Sequence, residues 1–356
     1  MQFRGNKISV SVFGQSHAPA IGMVMTGLPA GIPVDREALQ RFLARRAPGQ
    51  GSFATARKEA DLPEFLSGLM EDVTCGAPVC AVIRNTDARS ADYAQLRDVP
   101  RPGHADYPAW VKYGEAYDTR GGGQFSARLT APLCVAGGIA LQELARRGVR
   151  VGAHLAAVGS VRDAAFDPVA VCSADFERIA GNGFPVLDPA AGEAMRAEIE
   201  TARLAQDSVG GIVECAALGL PAGLGGPLFE GIESALSAAL FAVPAVKGVE
   251  FGNGFGAAAL RGSANNDPYS VQNGKVVTRT NHAGGLLGGM TTGMPLVLRA
   301  AFKPTPSIGL PQKSVRLSRM EETELAVAGR HDPCVAPRAV PVVEAVCALV
   351  LLDLLL

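Results

Sequence analysis

An α+β fold in one domain, 1–356, with internal pseudo-symmetry is what this sequence predicts, and three observations carry that reading. Strand-like and helix-like segments are mixed, without the strict alternation that marks a doubly wound parallel sheet. The pentapeptide GLPAG occurs at 27–31 and again at 219–223, each time after an apolar strand-like run and ahead of a helical segment. No Pro/Gly/Ser-rich linker divides the 356 residues, although that length alone allows two domains. The echo is either a duplicated strand–turn–helix unit or a coincidence in a chain rich in Gly, Ala and Pro.

The elements follow in order. Ile8, Val10 and Val12 alternate with serines and predict a strand running into Gly14; the apolar residues 21–27 predict a second. Asp35 caps a helix with Leu39, Phe42 and Leu43 on one face, ended by Arg45 and Arg46 before Pro48-Gly49. Further strands are expected at 79–84, 149–157, 211–218, 246–251, 256–261, 275–280, 296–302 and 314–318, and helices at 128–147, 189–206, 230–242 and 339–354. The last helix is apolar apart from Glu344 and Asp353, which fall on roughly opposite faces. Such a helix is buried in a core, an interface or a membrane, and its charges leave it short for a span. A buried or interface helix is the reading, a tail anchor the alternative.

Lys plus Arg number 33 and Asp plus Glu 34, a net charge of −1 that argues against a nucleic-acid partner. An anion site must then be a local cluster. Seven cysteines, an odd number with no CxxC pair, fit a reduced, cytoplasmic setting with structural thiols. The start, MQFRGNKISVSVFG, lacks the apolar core of a signal peptide.

Residues 101–128, RPGHADYPAWVKYGEAYDTRGGGQFSAR, are the densest chemistry. Three glycines let backbone amides approach a ligand closely. Arg120 and Arg128 flank them with fork-shaped donor sets suited to phosphate or carboxylate, and His104 titrates near neutral pH. The segment reads as a site that holds an anion and moves a proton. Around it stand GQSH at 14–17, the arginines 41, 45 and 46 followed by Arg57 and Lys58, the run from Asn85 to Tyr93, NHAGGLLGG at 281–289, KPTPS at 303–307, and GRHDP at 329–333 with Arg338. The arginines at 41–46 also fit a solvated, well-capped helix end. P-loop, HExxH, GxSxG and Rossmann glycine signatures are missing.

Together these motifs resemble the chorismate synthase family over nearly the whole chain. GQSH is similar to its Gly-Glu-Ser-His signature, 101–128 to its central signature, and GRHDPCVAPRAVPVVEA to its third, with AVKGVEFGNGF, TNHAGGLLGG and FKPTPSI between. The resemblance implies a β-α-β sandwich of two antiparallel sheets around helices, a homotetramer, and a lyase that turns 5-enolpyruvylshikimate 3-phosphate into chorismate by anti-1,4 elimination of phosphate with reduced FMN. By the same resemblance His17 protonates the departing phosphate, His104 serves the protonation state of the reduced flavin, and Asp332 assists the central-ring flavin nitrogen. Ser16, Arg46, Ser52, Arg128 and Arg338 hold substrate. Gln124, Phe125, Ser126, Pro244, Ala245, Gly288, Lys303, Pro304, Thr305, Pro306, Ser307 and Arg330 contact flavin. NADPH is a possible reductant, used by the chain itself or by an external flavin reductase. Gln15, Ala18, Ala47, Ser52 and Gln124 depart from common family residues, Ala47 from a usual arginine triplet and the last two from arginines. A flavin-dependent oxidoreductase and a non-catalytic anion-binding assembly protein are the alternatives.

Overall fold

The computed structural model describes residues 1–49, 59–86, 95–327 and 332–356. Two five-stranded antiparallel sheets form its outer layers. The first has the spatial order Gln2–Arg4, Ser9–Gly14, Ala20–Thr26, Val79–Arg84, Glu64–Ser67. The second has the order Val161–Arg162, Arg150–Val158, Gly211–Leu218, Leu296–Phe302, Val246–Phe251. Period-two patterning sets which face is inward: Ile21, Met23 and Met25 of one strand are all fully buried.

Helices fill the space between. Thr130–Arg146 lies on the first sheet, and Ala336–Leu355 lies on strands Arg150–Val158 and Gly211–Leu218 of the second. The two helices pack on each other, with Arg36–Arg46 and Ile232–Phe241 also against Ala336–Leu355. One hydrophobic cluster joins all four helices to both sheets. This is the expected β-α-β sandwich.

Both halves of the chain repeat the same order of strand, strand, helix, strand, strand, helix. Ser9–Gly14, Ala20–Thr26, Arg36–Arg46, Glu64–Ser67, Val79–Arg84 and Thr130–Arg146 correspond to Arg150–Val158, Gly211–Leu218, Ile232–Phe241, Val246–Phe251, Leu296–Phe302 and Ala336–Leu355, with matching places in the two sheets. The GLPAG turns repeat at atomic detail. The Gly31 and Gly223 amides each donate 2.8 Å to the carbonyls of Thr74 and Thr291. The hydroxyls of these threonines each accept at 2.9 Å from the Ile32 and Leu224 amides, and donate to the carbonyls of Pro29 and Pro221 at 2.7 and 2.5 Å. Gly27 and Gly219 have φ of 84° and 81°, and a Cβ on either would strike the carbonyl oxygen of Lys7 or Gly148. The echo is a structural duplication.

The terminal helix begins three residues earlier than its periodicity predicts, because Pro337 stands in the first turn, where a missing N–H costs nothing. Its two charges are buried and partnered. Glu344 takes a two-pronged contact from Arg45 at 2.6 and 2.8 Å and accepts the Ala153 amide at 2.9 Å, joining the first repeat to the second. Asp353 accepts the backbone amides of Asn6, Lys7 and Ile8 at 2.7, 2.7 and 2.8 Å. Asp353→Asn is expected to lower the unfolding free energy by about 2–3 kcal/mol, the scale of a charge-assisted bond. Urea titration checks this, and a change under about 0.5 kcal/mol, the scale of an ordinary surface substitution, would contradict it. Among the described residues no helix is long and apolar enough to cross a membrane.

One strand expectation is corrected. Residues 256–261 form no strand; a helical turn spans Gly254–Ala259. Its alanines and glycines offer no branched side chains for a pleated surface. The helices Asp106–Tyr113 and Ser173–Gly181 were not foreseen. The first starts at Asp106, after Ala105, which makes no side-chain cap bond.

Candidate active site

A cavity of about 1270 Å³ opens where the loops following Val79–Arg84 and Leu296–Phe302, the equivalent fourth strands of the two repeats, converge. Its wall includes Ser16, Arg46, His104, Arg128, Asp332 and Arg338.

The triple glycine is the spine of this wall. Gly121, Gly122 and Gly123 have φ of 59°, 82° and 54°, which only glycine adopts readily in succession. Space forbids side chains as well. A Cβ on Gly121 would lie 2.6 Å from Ser16 Oγ and 2.7 Å from His17 Nε2, and one on Gly122 would lie 3.2 Å from His104 Nε2. The Ser16 amide donates to the Gly123 carbonyl at 3.2 Å. The run thus brings GQSH, at the end of strand Ser9–Gly14, against the segment that carries His104.

His104 sits in a defined network. Its Nδ1 is 2.5 Å from Asp106 Oδ1, and Arg101 grips the same carboxylate through Nε at 2.7 Å and Nη2 at 2.8 Å. A carboxylate accepts and a guanidinium donates. Nδ1 therefore carries the proton toward Asp106, and Nε2, 3.4 Å from Arg101 Nη2, faces Gly122. Burial lowers the His104 pKa below its usual value, the Asp106 bond opposes this, and the Arg101 and Lys303 charges add to the lowering. Burial also disfavours the charge on Asp106, but Arg101 and His104 outweigh it and hold its pKa far below the carboxylate range. Arg101 Nη1 donates to Ser307 Oγ at 3.0 Å, and the Lys303 ammonium donates to the Gly103 carbonyl, so the 303–307 loop is fastened to the same segment.

Three arginines form a second cluster on the wall. Arg46, the last residue of its helix, donates Nε to Thr130 Oγ1 at 3.2 Å and pairs through Nη1 with Asp61. Arg128 pairs through Nη1 with the other oxygen of Asp61 and through Nε with Asn85 Oδ1 at 3.1 Å and Glu59 at 3.0 Å. Arg338 donates Nε to the Arg46 carbonyl at 3.0 Å and Nη1 to Asp332 at 2.6 Å. Burial lowers the pKa of Arg128, with Asp61 and Glu59 opposing. Its Nη2 is buried without a hydrogen-bond partner. An uncompensated donor of this kind calls for an anion.

Most predicted positions converge. Gln124, Phe125, Ser126, Pro244, Ala245, Lys303, Thr305, Pro306 and Ser307 line the cavity. His17 touches it through Gly121, while Pro304 and Gly288 are not part of its wall. Ala245 holds a φ of 74°, a costly conformation for a residue with a Cβ. Ser52, Arg330 and the stretches 50–58, 87–94 and 328–331 lie outside the described residues. Arg120 goes elsewhere, forking onto Asp118 at 2.8 and 2.9 Å. Of the arginines 41, 45 and 46, only Arg41 matches the solvated reading; it is 70% exposed and faces Glu37. Sequence reasoning missed Glu59, Asp61 and Asp106 as site components. The spacing in Arg101-x-x-His104-x-Asp106 was the available signal for the last; nothing marked the others.

The family model for chorismate synthase matches residues 8–356. A chorismate synthase of Thermococcus kodakarensis is 53% identical over 353 residues, covering 99% of this chain and 97% of that one. One from Lancefieldella parvula is 48% identical over 362 residues, covering 99% and 95%. A chorismate synthase crystal structure superposes with a TM-score of 0.77 at 25% identity, over 99% of this chain and 92% of that chain.

Proposed function

The chain belongs to the chorismate synthase family, a lyase of aromatic biosynthesis, and from that premise we propose that it performs the elimination by the reduced-FMN route. The substrate is 5-enolpyruvylshikimate 3-phosphate; the products are chorismate and phosphate. One observation supports this most: two imidazoles, His17 and His104, reach one glycine spine on a cavity that also holds Arg46, Arg128 and Arg338.

The chain's residues divide the work. Arg46, Arg128 and Arg338, with Ser16, bind the anionic substrate, Arg128 offering its unpartnered Nη2. His17 delivers a proton to the departing phosphate. Reduced FMN, when bound, supplies electron density for C–O cleavage and recovers it as hydrogen leaves the ring. The residues present fit that group: Thr305 Oγ1 is buried without a partner on the cavity wall beside Lys303 and Ser307, donors suited to a phosphate. Gln124, Phe125, Ser126, Pro244 and Ala245 give an uncharged stretch of wall suited to a ring. His104 holds or gives a proton at Nε2, its orientation set by Asp106. Asp332, paired with Arg338, would assist the central-ring nitrogen of bound flavin in taking the hydrogen that leaves late in the reaction.

Further parts of the proposal are a single domain over 1–356, a homotetramer in the cytoplasm, and NADPH as reductant either on this chain or through an external flavin reductase. Exposed Phe229 and Phe255, 96% and 89% accessible, favour assembly. An anaerobic assay tests the reaction, with chemically reduced FMN in one arm and NADPH plus oxidised FMN in the other. Chorismate and phosphate are expected in the first arm. No product at saturating reduced flavin overturns the reading, and product in the second arm assigns reductase activity to this chain.

A further inference from the structure

We propose that Asp61 is a positioning residue for substrate binding, one that holds Arg46 and Arg128 together from behind the cavity wall. This rests on those two arginines binding the substrate's anionic groups. The carboxylate is fully buried, and each of its oxygens takes one guanidinium: Oδ2 receives Arg46 Nη1 and Oδ1 receives Arg128 Nη1. Both arginines line the cavity and Asp61 does not. A substrate anion can therefore approach both cations from the cavity without displacing the carboxylate.

The placement has a physical reason. Two buried guanidiniums repel, and a shared carboxylate offsets that repulsion while fixing which N–H groups remain. In Arg128, Nε is used by Asn85 and Glu59 and Nη1 by Asp61, which leaves the buried Nη2 as its unpartnered nitrogen. Asp61 itself has a φ of 50°, a left-handed conformation that persists in a non-glycine residue where its surroundings fix it.

Substitution separates positioning from charge. Asp61→Asn adds one positive charge to the site, so simple attraction predicts tighter anion binding. Positioning predicts the reverse. With the full chain and reduced FMN, KM for 5-enolpyruvylshikimate 3-phosphate is expected to rise about tenfold or more, the factor for losing one charge-assisted bond, with a smaller change in kcat. Calorimetric titration with inorganic phosphate should weaken in parallel. Asp61→Glu keeps the charge and moves it by one methylene; it too should raise KM, and it serves if the Asn variant fails to fold. A KM at or below wild type in either folded variant overturns the proposal alone. Wild type that binds phosphate but makes no chorismate overturns the functional reading instead, and the phosphate titrations of the variants then decide the role of Asp61.

Discussion

Replacing His104 with alanine is expected to slow turnover by roughly 10²–10⁴-fold, the usual contribution of a positioned proton donor. The fold should survive the change. Asp106 keeps its bonds from Arg101 Nε and Nη2, and the Arg101 amide still donates to it at 3.1 Å, so no buried carboxylate is stranded. His17→Ala should fall in the same range, because that ring reaches the same spine at Gly121, next to the Gly122 that His104 faces. Single-turnover formation of chorismate with reduced FMN is the measurement. Turnover within twofold of wild type in a folded variant removes the role from that histidine.

Asp106→Asn should move the pH profile rather than simply lower it. Burial, Arg101 and Lys303 push the His104 pKa down, and Asp106 supports it. The sign follows. Without the carboxylate the pKa falls further, and each unit lost is tenfold less imidazolium at neutral pH. If His104 works protonated, turnover declines as pH rises through its pKa, and in the variant that decline begins at lower pH. The acid side should regain much of the lost rate. A profile of kcat/KM against pH decides: a uniformly lowered curve with an unmoved limb would show that Asp106 does not act through His104.

How much of this was legible in the chain depends on the kind of signal. Strands such as 211–218, 246–251 and 296–302 were read to the residue, because alternation and flanking glycines are local facts. GLPAG marked the duplication, yet it left coincidence open; the matching Thr74 and Thr291 bonds, which settle it, join residues more than forty positions apart. His17, His104, Arg46, Arg128 and Arg338 were named by resemblance, and they share one cavity wall or its glycine spine. Asp61 was invisible for a physical reason. An isolated aspartate in a loop looks like any solvated acid, and only burial between two arginines gives it a task. Glu344 and Asp353 are the same lesson reversed, since each looked like an interruption of an apolar helix and each has fixed partners.

The duplication also bears on how the cavity came to have two unlike walls. In an isologous homodimer, a site on the twofold axis must show the same residue on both sides. Covalent fusion of the two copies removes that constraint. The helix of the first repeat ends in Arg45-Arg46, while its counterpart ends at Phe241 and leads into Ala242-Val243-Pro244-Ala245. One helix end is cationic and its counterpart apolar. A strictly symmetric pair would have carried the same side chains at both helix ends, cationic at both or apolar at both.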